Sequence, residues 1–212
     1  MLNKYTAVEV LQNHPQVDVN VKDDTNQRTA LMWAIEKGYD RPASLLIGSS
    51  KVDVNVKGQY GRTALIWAAI KGRLQVVQLL QNHPDVDTSI KDDYHFTALS
   101  RGAQVNNNER LVASLLNFSS IDVNTKDGIE ERTPLIWAAR SGYDKIISEI
   151  LGKDKSSPGW CSHLVFHTFE SGRCIEKLHS SISCTSKIHA DLQKQQSITR
   201  QLGLLSLHIL AL

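Results

Sequence analysis

The chain has 212 residues, of which 41% are hydrophobic and 22% are charged, a composition typical of one good-sized soluble domain or a short repeat array. Its charge is balanced, with 24 basic against 22 acidic residues, which argues against non-specific binding to nucleic acid or to anionic lipid. The longest apolar run, residues 202–212, is about half as long as a membrane span, so no transmembrane helix is expected.

The amino-terminal residues contain no basic stretch followed by an apolar core, so a secretory signal is not expected. The chain has three cysteines, an odd number that argues against a disulfide framework. These features predict an intracellular protein, cytoplasmic or nuclear, with reduced thiols.

The sequence repeats itself with a period of 34 to 36 residues. Segments with the pattern Thr-(Ala/Pro)-Leu recur at residues 29–31, 63–65, 97–99 and 133–135. Segments of the type Asp-Val-Asn recur in step with them at residues 18–20, 53–55, 87–89 and 122–124, with Asp-Thr-Ser as the third copy. A single unit of this length cannot bury its apolar faces, so we expect neighbouring units to stack.

Each unit is predicted to contain two short helices. The threonine is expected to be the N-cap of the first helix, because its hydroxyl accepts a hydrogen bond from a free backbone N–H. Gly38, Gly72 and Gly142 are expected to end that helix in a left-handed conformation. A second helix follows, as over residues 74–80, and stops before Pro84 because the residue that precedes a proline disfavours the helical region. The Asp-Val-Asn segments predict Asx turns.

These Thr-(Pro/Ala)-Leu openings, helix-ending glycines and Asp-Val-Asn turns resemble the ankyrin repeat, as do the Ala pairs of the first helix and the Leu pairs of the second. The resemblance covers residues 1–155 and implies an all-α, ankyrin-type helical solenoid with β-hairpin loops. Its predicted divisions are a half repeat (1–21) and four repeats (22–57, 58–91, 92–127 and 128–155). The resemblance also implies a protein-binding scaffold without a catalytic residue or a cofactor.

The third repeat departs from this pattern. Trp33, Trp67 and Trp137 share one position of the first helix and are expected to belong to the core of the stack, but Arg101 takes that position in the third repeat. Gly102 follows it, and glycine inside a helix costs about 1 kcal/mol relative to alanine. We therefore expect the stack to be least stable in the third repeat.

Residues 156–212 lose the repeat pattern and contain all three cysteines and five of the eight histidines. Three interpretations of this Ser/His/Cys-containing tail stay open: a disordered segment, an irregular or partly helical cap on the last repeat, and an end not selected for folding, such as a read-through or mis-spliced sequence. Cys161, His163, His167 and Cys174 are weak candidates for metal ligands. Because no Cys-x-x-Cys pair accompanies them, no metal site is predicted.

Hairpin tips and the exposed ends of the first helices are the positions of a solenoid that carry least packing. Tyrosine and arginine dominate binding energy at protein interfaces. On this basis the predicted partner-binding residues are Arg28, Lys37, Tyr60, Arg62, Lys71, Tyr94 and Phe96. An alternative is that Tyr94 and Phe96 only pack across the hairpin of the third repeat.

The function predicted from these features is a non-enzymatic scaffold for protein–protein interaction. The scaffold is expected to be monomeric and to bind a protein partner, rather than nucleic acid or a membrane, through its hairpin tips and its concave inner-helix face. Two alternatives stay open. The first is that the chain is a fragment of a larger ankyrin-bearing protein whose effector domain lies elsewhere. The second, less favoured, is that the tail is a metal-binding module.

Overall fold

The computed structural model describes residues 8–11, 14–105, 108–128 and 130–153. All of these residues fall within one compact unit, Met1–Lys155. The predicted tail and its candidate metal ligands Cys161, His163, His167 and Cys174 lie outside the described residues. Within the described part, no group of three or more His, Cys, Asp or Glu side chains could hold a metal ion. The helices of that part are also too short and too polar to cross a membrane.

The described chain is built from helix pairs, one pair in each predicted repeat. The pairs are α1 (Ala30–Lys37) and α2 (Asp40–Ile47), α3 (Ala64–Lys71) and α4 (Leu74–Gln81), α5 (Ala98–Val105) and α6 (Glu109–Leu116), and α7 (Pro134–Ser141) and α8 (Asp144–Lys153). Residues 8–11 are also helical, and Gln59–Gly61 form a short 3-10 turn. No strand occurs among the residues that the structure describes.

The ends of the first helices lie where the sequence predicts them. Each threonine hydroxyl accepts a hydrogen bond from the backbone N–H three residues later, at 3.3 to 3.4 Å, with Met32, Ile66, Ser100 and Ile136 as donors. Three of these helices end at a glycine in the left-handed region, with φ values of 73°, 68° and 72° at Gly38, Gly72 and Gly142. The N-cap and C-cap predictions are therefore confirmed.

The helix pairs stack side by side. The first helices α1, α3, α5 and α7 contact one another in sequence, and so do the second helices α2, α4, α6 and α8. The largest aliphatic side chains that are fully buried between them are Ile35, Ile66, Leu80, Leu99, Leu111, Leu115, Ile146 and Ile150. The stacking of repeats that the sequence predicts is confirmed, and apolar burial between neighbouring repeats stabilises it.

The Asx turns hold the connections between repeats. In all four copies the first aspartate accepts a hydrogen bond from the backbone N–H two residues later, at 2.8 to 2.9 Å, with Asn20, Asn55, Ser89 and Asn124 as donors. The side chain of Asn20 also bonds the next repeat, accepting from the N–H of Asp53 and donating to the carbonyl of Lys51, both at 2.8 Å. Asn55 of the first repeat bonds the second repeat in the same way.

One expectation about packing requires correction, and another stays a prediction. Gly102 lies where α5 approaches α6, and a Cβ atom there would lie 3.0 Å from Leu115 and 3.3 Å from Leu111. This glycine therefore permits the close approach of α5 and α6, while the lower stability of the third repeat stays a prediction. Of the three tryptophans, only Trp67 is buried in the core, since Trp33 and Trp137 are half-buried.

Candidate functional site

The loop before each first helix forms a tight tip. Each tip is closed by one backbone hydrogen bond of 2.9 to 3.0 Å, in the pairs Asp23–Arg28, Gly58–Arg62, Asp92–Phe96 and Asp127–Arg132. The residue two positions before the threonine is left-handed in every tip, with φ between 51° and 66° at Gln27, Gly61, His95 and Glu131. These turns stand where β-hairpin loops were expected, and they fix the position of the residue before each threonine.

An arginine and an aromatic residue stack on each other beside every tip. In three repeats an arginine directly before the threonine lies over the tryptophan five residues later, at 4.8, 5.0 and 4.9 Å from the ring centre, in the pairs Arg28–Trp33, Arg62–Trp67 and Arg132–Trp137. In the third repeat the two residue types are exchanged, and Arg101 lies 4.0 Å from the ring centre of Phe96. We call these eight residues the arginine–aromatic row. Arg101 takes the position of the tryptophan, as expected from the sequence, and Phe96 supplies the ring on which it stacks.

The row also connects neighbouring repeats. Arg28 of the first repeat lies 4.6 Å from the ring centre of Trp67 in the second. The rings of Phe96 and Trp137 have centroids 5.5 Å apart and are tilted by 48°. Contacts of both kinds stabilise by about 0.5–1.5 kcal/mol in proteins. The row therefore strengthens the stack as well as shaping its surface.

Two carboxylates face four positively charged side chains, three of them in the row and one, Lys71, beside it. Glu36 forms an ion pair with Arg28, and the ammonium of Lys71 lies 3.6 Å from its other oxygen. Asp92, whose side chain is fully buried, accepts hydrogen bonds from Nε and Nη2 of Arg101 at 2.9 and 2.6 Å. Nε of Arg62 lies 3.8 Å from the same Asp92 oxygen. Each of these two carboxylates therefore faces two cations.

An aspartate at the start of the tip receives donors in three of the repeats. Asp127 accepts a hydrogen bond of 2.8 Å from the indole Nε1 of Trp137, and Asp92 receives Arg101 as described above. Asp23 is held mainly by the backbone N–H of Arg28, at 2.7 Å, and further by the side chains of Asn26 and Trp33. These donors lower the pKa of the Asp23 carboxyl despite an opposing effect of desolvation.

The second repeat has Gly58 where the other tips begin with an aspartate, so its own tip offers no carboxylate to the donors of this repeat. Within the described residues, the buried side-chain nitrogens or oxygens without a hydrogen-bond partner are Nε1 of Trp67, Nε of Arg28 and Nε of Arg62. Arg28 and Arg62 both lie over the Trp67 ring. The unsatisfied donors therefore gather around one indole.

The positive charge of Arg62 is disfavoured by its surroundings. Its side chain is only 16% exposed. Burial lowers the pKa of its guanidinium, the neighbouring charge of Arg101 lowers it further, and Asp92 opposes both effects. No hydrogen bond from this guanidinium to an acceptor is formed within the part of the chain that the structure describes. An additional anion here would stabilise the charged form.

The structure places six of the seven predicted partner-binding residues on this surface. Tyr60 and Tyr94 are 46% and 44% exposed, and their ring centroids lie 6.3 Å apart. Arg28 and Arg62 lie in the row, while Lys37 and Lys71 flank Trp33 and Trp67 at 5.4 and 5.7 Å from the ring centres.

Phe96 is the exception among the predicted anchors. It is only 2% exposed and packs between Arg101 and Trp137, so the prediction that it lies on an exposed tip is wrong. The sequence analysis also missed Arg101, Asp92 and Glu36 as members of this surface. The exchange of arginine and aromatic residue at the same spacing of five residues was the signal that could have revealed Arg101.

Residues 1–92 match the family model of ankyrin repeats in three copies. The chain carries ankyrin repeats. The crystal structure of EF0377, an ankyrin repeat protein, shares its fold with a TM-score of 0.65 and 20% identity, over 72% of this chain and 77% of that chain. An ankyrin repeat domain (ABAYE2397) from Acinetobacter baumannii AYE superimposes with a TM-score of 0.60 and 27% identity, over 70% of this chain and 73% of that chain. A comparison with curated proteins gives no match.

Ankyrin repeats generally mediate protein–protein interactions, and the proteins that carry them are typically non-enzymatic scaffolds. Stacked repeats suit this role because each one adds a similar patch to an extended surface.

Proposed function

We propose that this ankyrin-repeat chain is a non-enzymatic scaffold that binds a protein partner through the surface formed by the arginine–aromatic row and the Tyr60–Tyr94 pair. The pair is the observation that carries the proposal, because both rings are almost half exposed beside a row of arginines. Tyr, Trp and Arg are the residues that contribute most to binding at protein interfaces. Lys37 and Lys71 extend the same surface along the first helices.

The backbone holds the tyrosine pair in place. Tyr60 has φ 60° and ψ 28°, a left-handed conformation that is uncommon for an aromatic residue. Its carbonyl accepts a hydrogen bond of 2.9 Å from the N–H of Asp93, which ties the second tip to the third. Backbone strain of this kind occurs at binding surfaces. A ring that is positioned before binding loses less conformational entropy when the partner arrives.

The chemistry of the surface supports a protein partner. Its cations alternate with carboxylates, and the chain as a whole is close to neutral, so a polyanion such as nucleic acid or a charged membrane gains little. Exposed aromatic rings between cations suit a peptide with both apolar and polar side chains.

The test compares partner capture by the full chain with capture by the double variant Tyr60→Ala/Tyr94→Ala. The control is Tyr39→Ala, which removes a still more exposed tyrosine before α2, outside the row. Proteins cross-linked to each variant in extracts of the source cells are identified by mass spectrometry, and the melting curves are recorded in parallel.

The proposal predicts that a protein partner is retained by the wild-type chain and by the Tyr39→Ala variant, and is lost from the double variant without a change in melting curve. Recovery of the same proteins with the wild-type chain and with both variants would show that this surface does not bind the partner.

A further inference from the structure

We infer that the second repeat of the arginine–aromatic row takes up a carboxylate of the partner, so that the bound segment is an acidic peptide. The inference rests on the proposed function and adds the chemistry of the ligand. It depends on three buried donors around Trp67, on the missing aspartate at Gly58, and on the two arginines, Arg62 and Arg101, that share Asp92.

In the other repeats the first residue of the tip is the hydrogen-bond acceptor. Asp127 accepts from the Trp137 indole in the fourth repeat, Asp92 accepts from Arg101 in the third, and Asp23 accepts from the backbone N–H of Arg28 in the first. All three acceptors are carboxylates. The equivalent donors of the second repeat, on Trp67 and Arg62, have no acceptor among the described residues. Since leaving a buried donor unpaired costs about 1–3 kcal/mol, an incoming acceptor would recover free energy on binding.

The chain cannot supply this carboxylate from position 58. A Cβ atom on Gly58 would lie 2.5 Å from the sulfur of Met32 and 2.7 Å from the carbonyl oxygen of Gln27. The buried side chain of Met32 therefore fills the space behind the tip. The tip therefore supplies no carboxylate to Trp67 and Arg62, and in the proposed complex the partner supplies it.

The neutral side-chain amide of Gln59 lies beside the proposed carboxylate position. Oε1 of Gln59 accepts a hydrogen bond of 2.9 Å from Nη2 of Arg28, and the ring of Tyr60 lies 4.9 Å from the Arg62 guanidinium. Both residues belong to the short 3-10 turn of the tip. A carboxylate that replaces the Gln59 amide would exchange a neutral acceptor for a charged one, and charge-assisted hydrogen bonds are about twice as strong.

The charges around the position favour an anion. Arg28 and Lys71 share Glu36, and Arg62 and Arg101 share Asp92, so each carboxylate faces two cations. Burial, followed by the charge of Arg101, lowers the pKa of Arg62. The planar guanidinium is suited to bidentate contact with a carboxylate. The exposed Tyr60–Tyr94 pair beside it offers an apolar contact to the rest of the peptide.

The test uses random peptides of about twelve residues displayed on phage and selected against the full-length chain. Enriched peptides are synthesised as they are and with each Asp or Glu changed to its amide. Their affinities are measured by fluorescence anisotropy for the wild-type chain, for Arg62→Gln and Arg62→Lys, and for Arg110→Gln. Arg110 is the control because it is an exposed arginine on α6, away from the row.

The inference predicts that Asp or Glu is enriched at one peptide position and that its amide binds at least about tenfold more weakly to the wild-type chain. The same loss is expected from Arg62→Gln, without further loss when both changes are combined, while Arg110→Gln has no effect. Arg62→Lys should recover only part of the affinity, because lysine keeps the charge but not the planar fork. If Arg62→Gln fails to fold, the amide peptides and Arg62→Lys still decide the result.

The outcomes separate this inference from the proposed function. Peptides without acidic enrichment that still lose affinity for Tyr60→Ala/Tyr94→Ala would refute the carboxylate site and leave the binding surface intact. Peptides whose affinity is unchanged by the Arg62 substitutions and by Tyr60→Ala/Tyr94→Ala would count against both the carboxylate site and the binding surface. A selection without enrichment would do the same. An RNA of about twelve nucleotides that binds more tightly than the acidic peptides would overturn the assignment to a protein carboxylate.

Discussion

Asp92 is predicted to be the most sensitive polar position of the stack. Its Oδ1 accepts from the backbone N–H groups of Tyr94 and Phe96 at 3.0 and 2.9 Å, and its Oδ2 accepts from Arg101 and lies near Arg62. Asp92→Asn keeps an acceptor for the backbone but removes the charge. Two arginines that are only 11% and 16% exposed then lose their carboxylate.

The expected loss follows from that burial. Removing one partner of a buried ion pair costs about 3–5 kcal/mol. Because both arginines keep some contact with water, we expect the lower end, about 3 kcal/mol, which is a large share of the 5–15 kcal/mol typical of a folded domain. Urea unfolding of the full chain, followed by far-ultraviolet circular dichroism, measures the change in the free energy of unfolding.

The matched control is Asp93→Asn, because Asp93 is the exposed neighbour of Asp92. It should change the free energy of unfolding by no more than about 0.5 kcal/mol. The double variant Asp92→Asn/Arg101→Gln should be more stable than the sum of its single changes predicts, since the two residues interact directly. A cost of Asp92→Asn as small as that of Asp93→Asn would refute the assignment of Asp92 as the shared counter-ion.

Two further predictions concern the tips and the Asx turns. Gln27 has φ 51°, so Gln27→Gly should relieve the strain of the left-handed conformation and raise the free energy of unfolding by about 0.5–1 kcal/mol, whereas an unchanged or lower value in urea would contradict this. The hydroxyl and then the backbone N–H of Ser89 lower the pKa of Asp87 in the folded chain, so the unfolded chain binds its proton more readily. The stability due to Asp87 is therefore present above pH about 4 and lost as the pH falls through the lower folded pKa. Unfolding curves recorded from neutral to acidic pH should fall less steeply for Asp87→Asn, and identical slopes would argue against the turn as the cause.

Much of the local structure is predictable because its causes lie within a few residues. The threonine N-caps bond an N–H three residues away, and the Asx turns bond one that is two residues away. The glycines at the ends of the first helices supply a left-handed conformation at a position that the repeat period marks in advance. Repetition then reinforces each signal, since the same short pattern occurs in register in several units.

The candidate site was less predictable because it depends on contacts between repeats. Arg28 meets Trp67 only after two tips are placed side by side, and Phe96 meets Trp137 in the same way. From the sequence alone, Phe96 looked like an exposed tip residue and Arg101 like a lost tryptophan. The stack brings Arg101 over Phe96 and buries the ring, so each residue takes the role that the other has in the neighbouring repeats.

By itself the sequence determined the period, the boundaries of most helices and the kind of surface that this ankyrin-repeat chain offers, because capping, turn chemistry and helical periodicity act over short distances. Only the tertiary structure decided which charges share a carboxylate and which donors are left without an acceptor. Those properties depend on burial and on the juxtaposition of residues about thirty positions apart, where the low local dielectric makes each pairing, or its absence, energetically important.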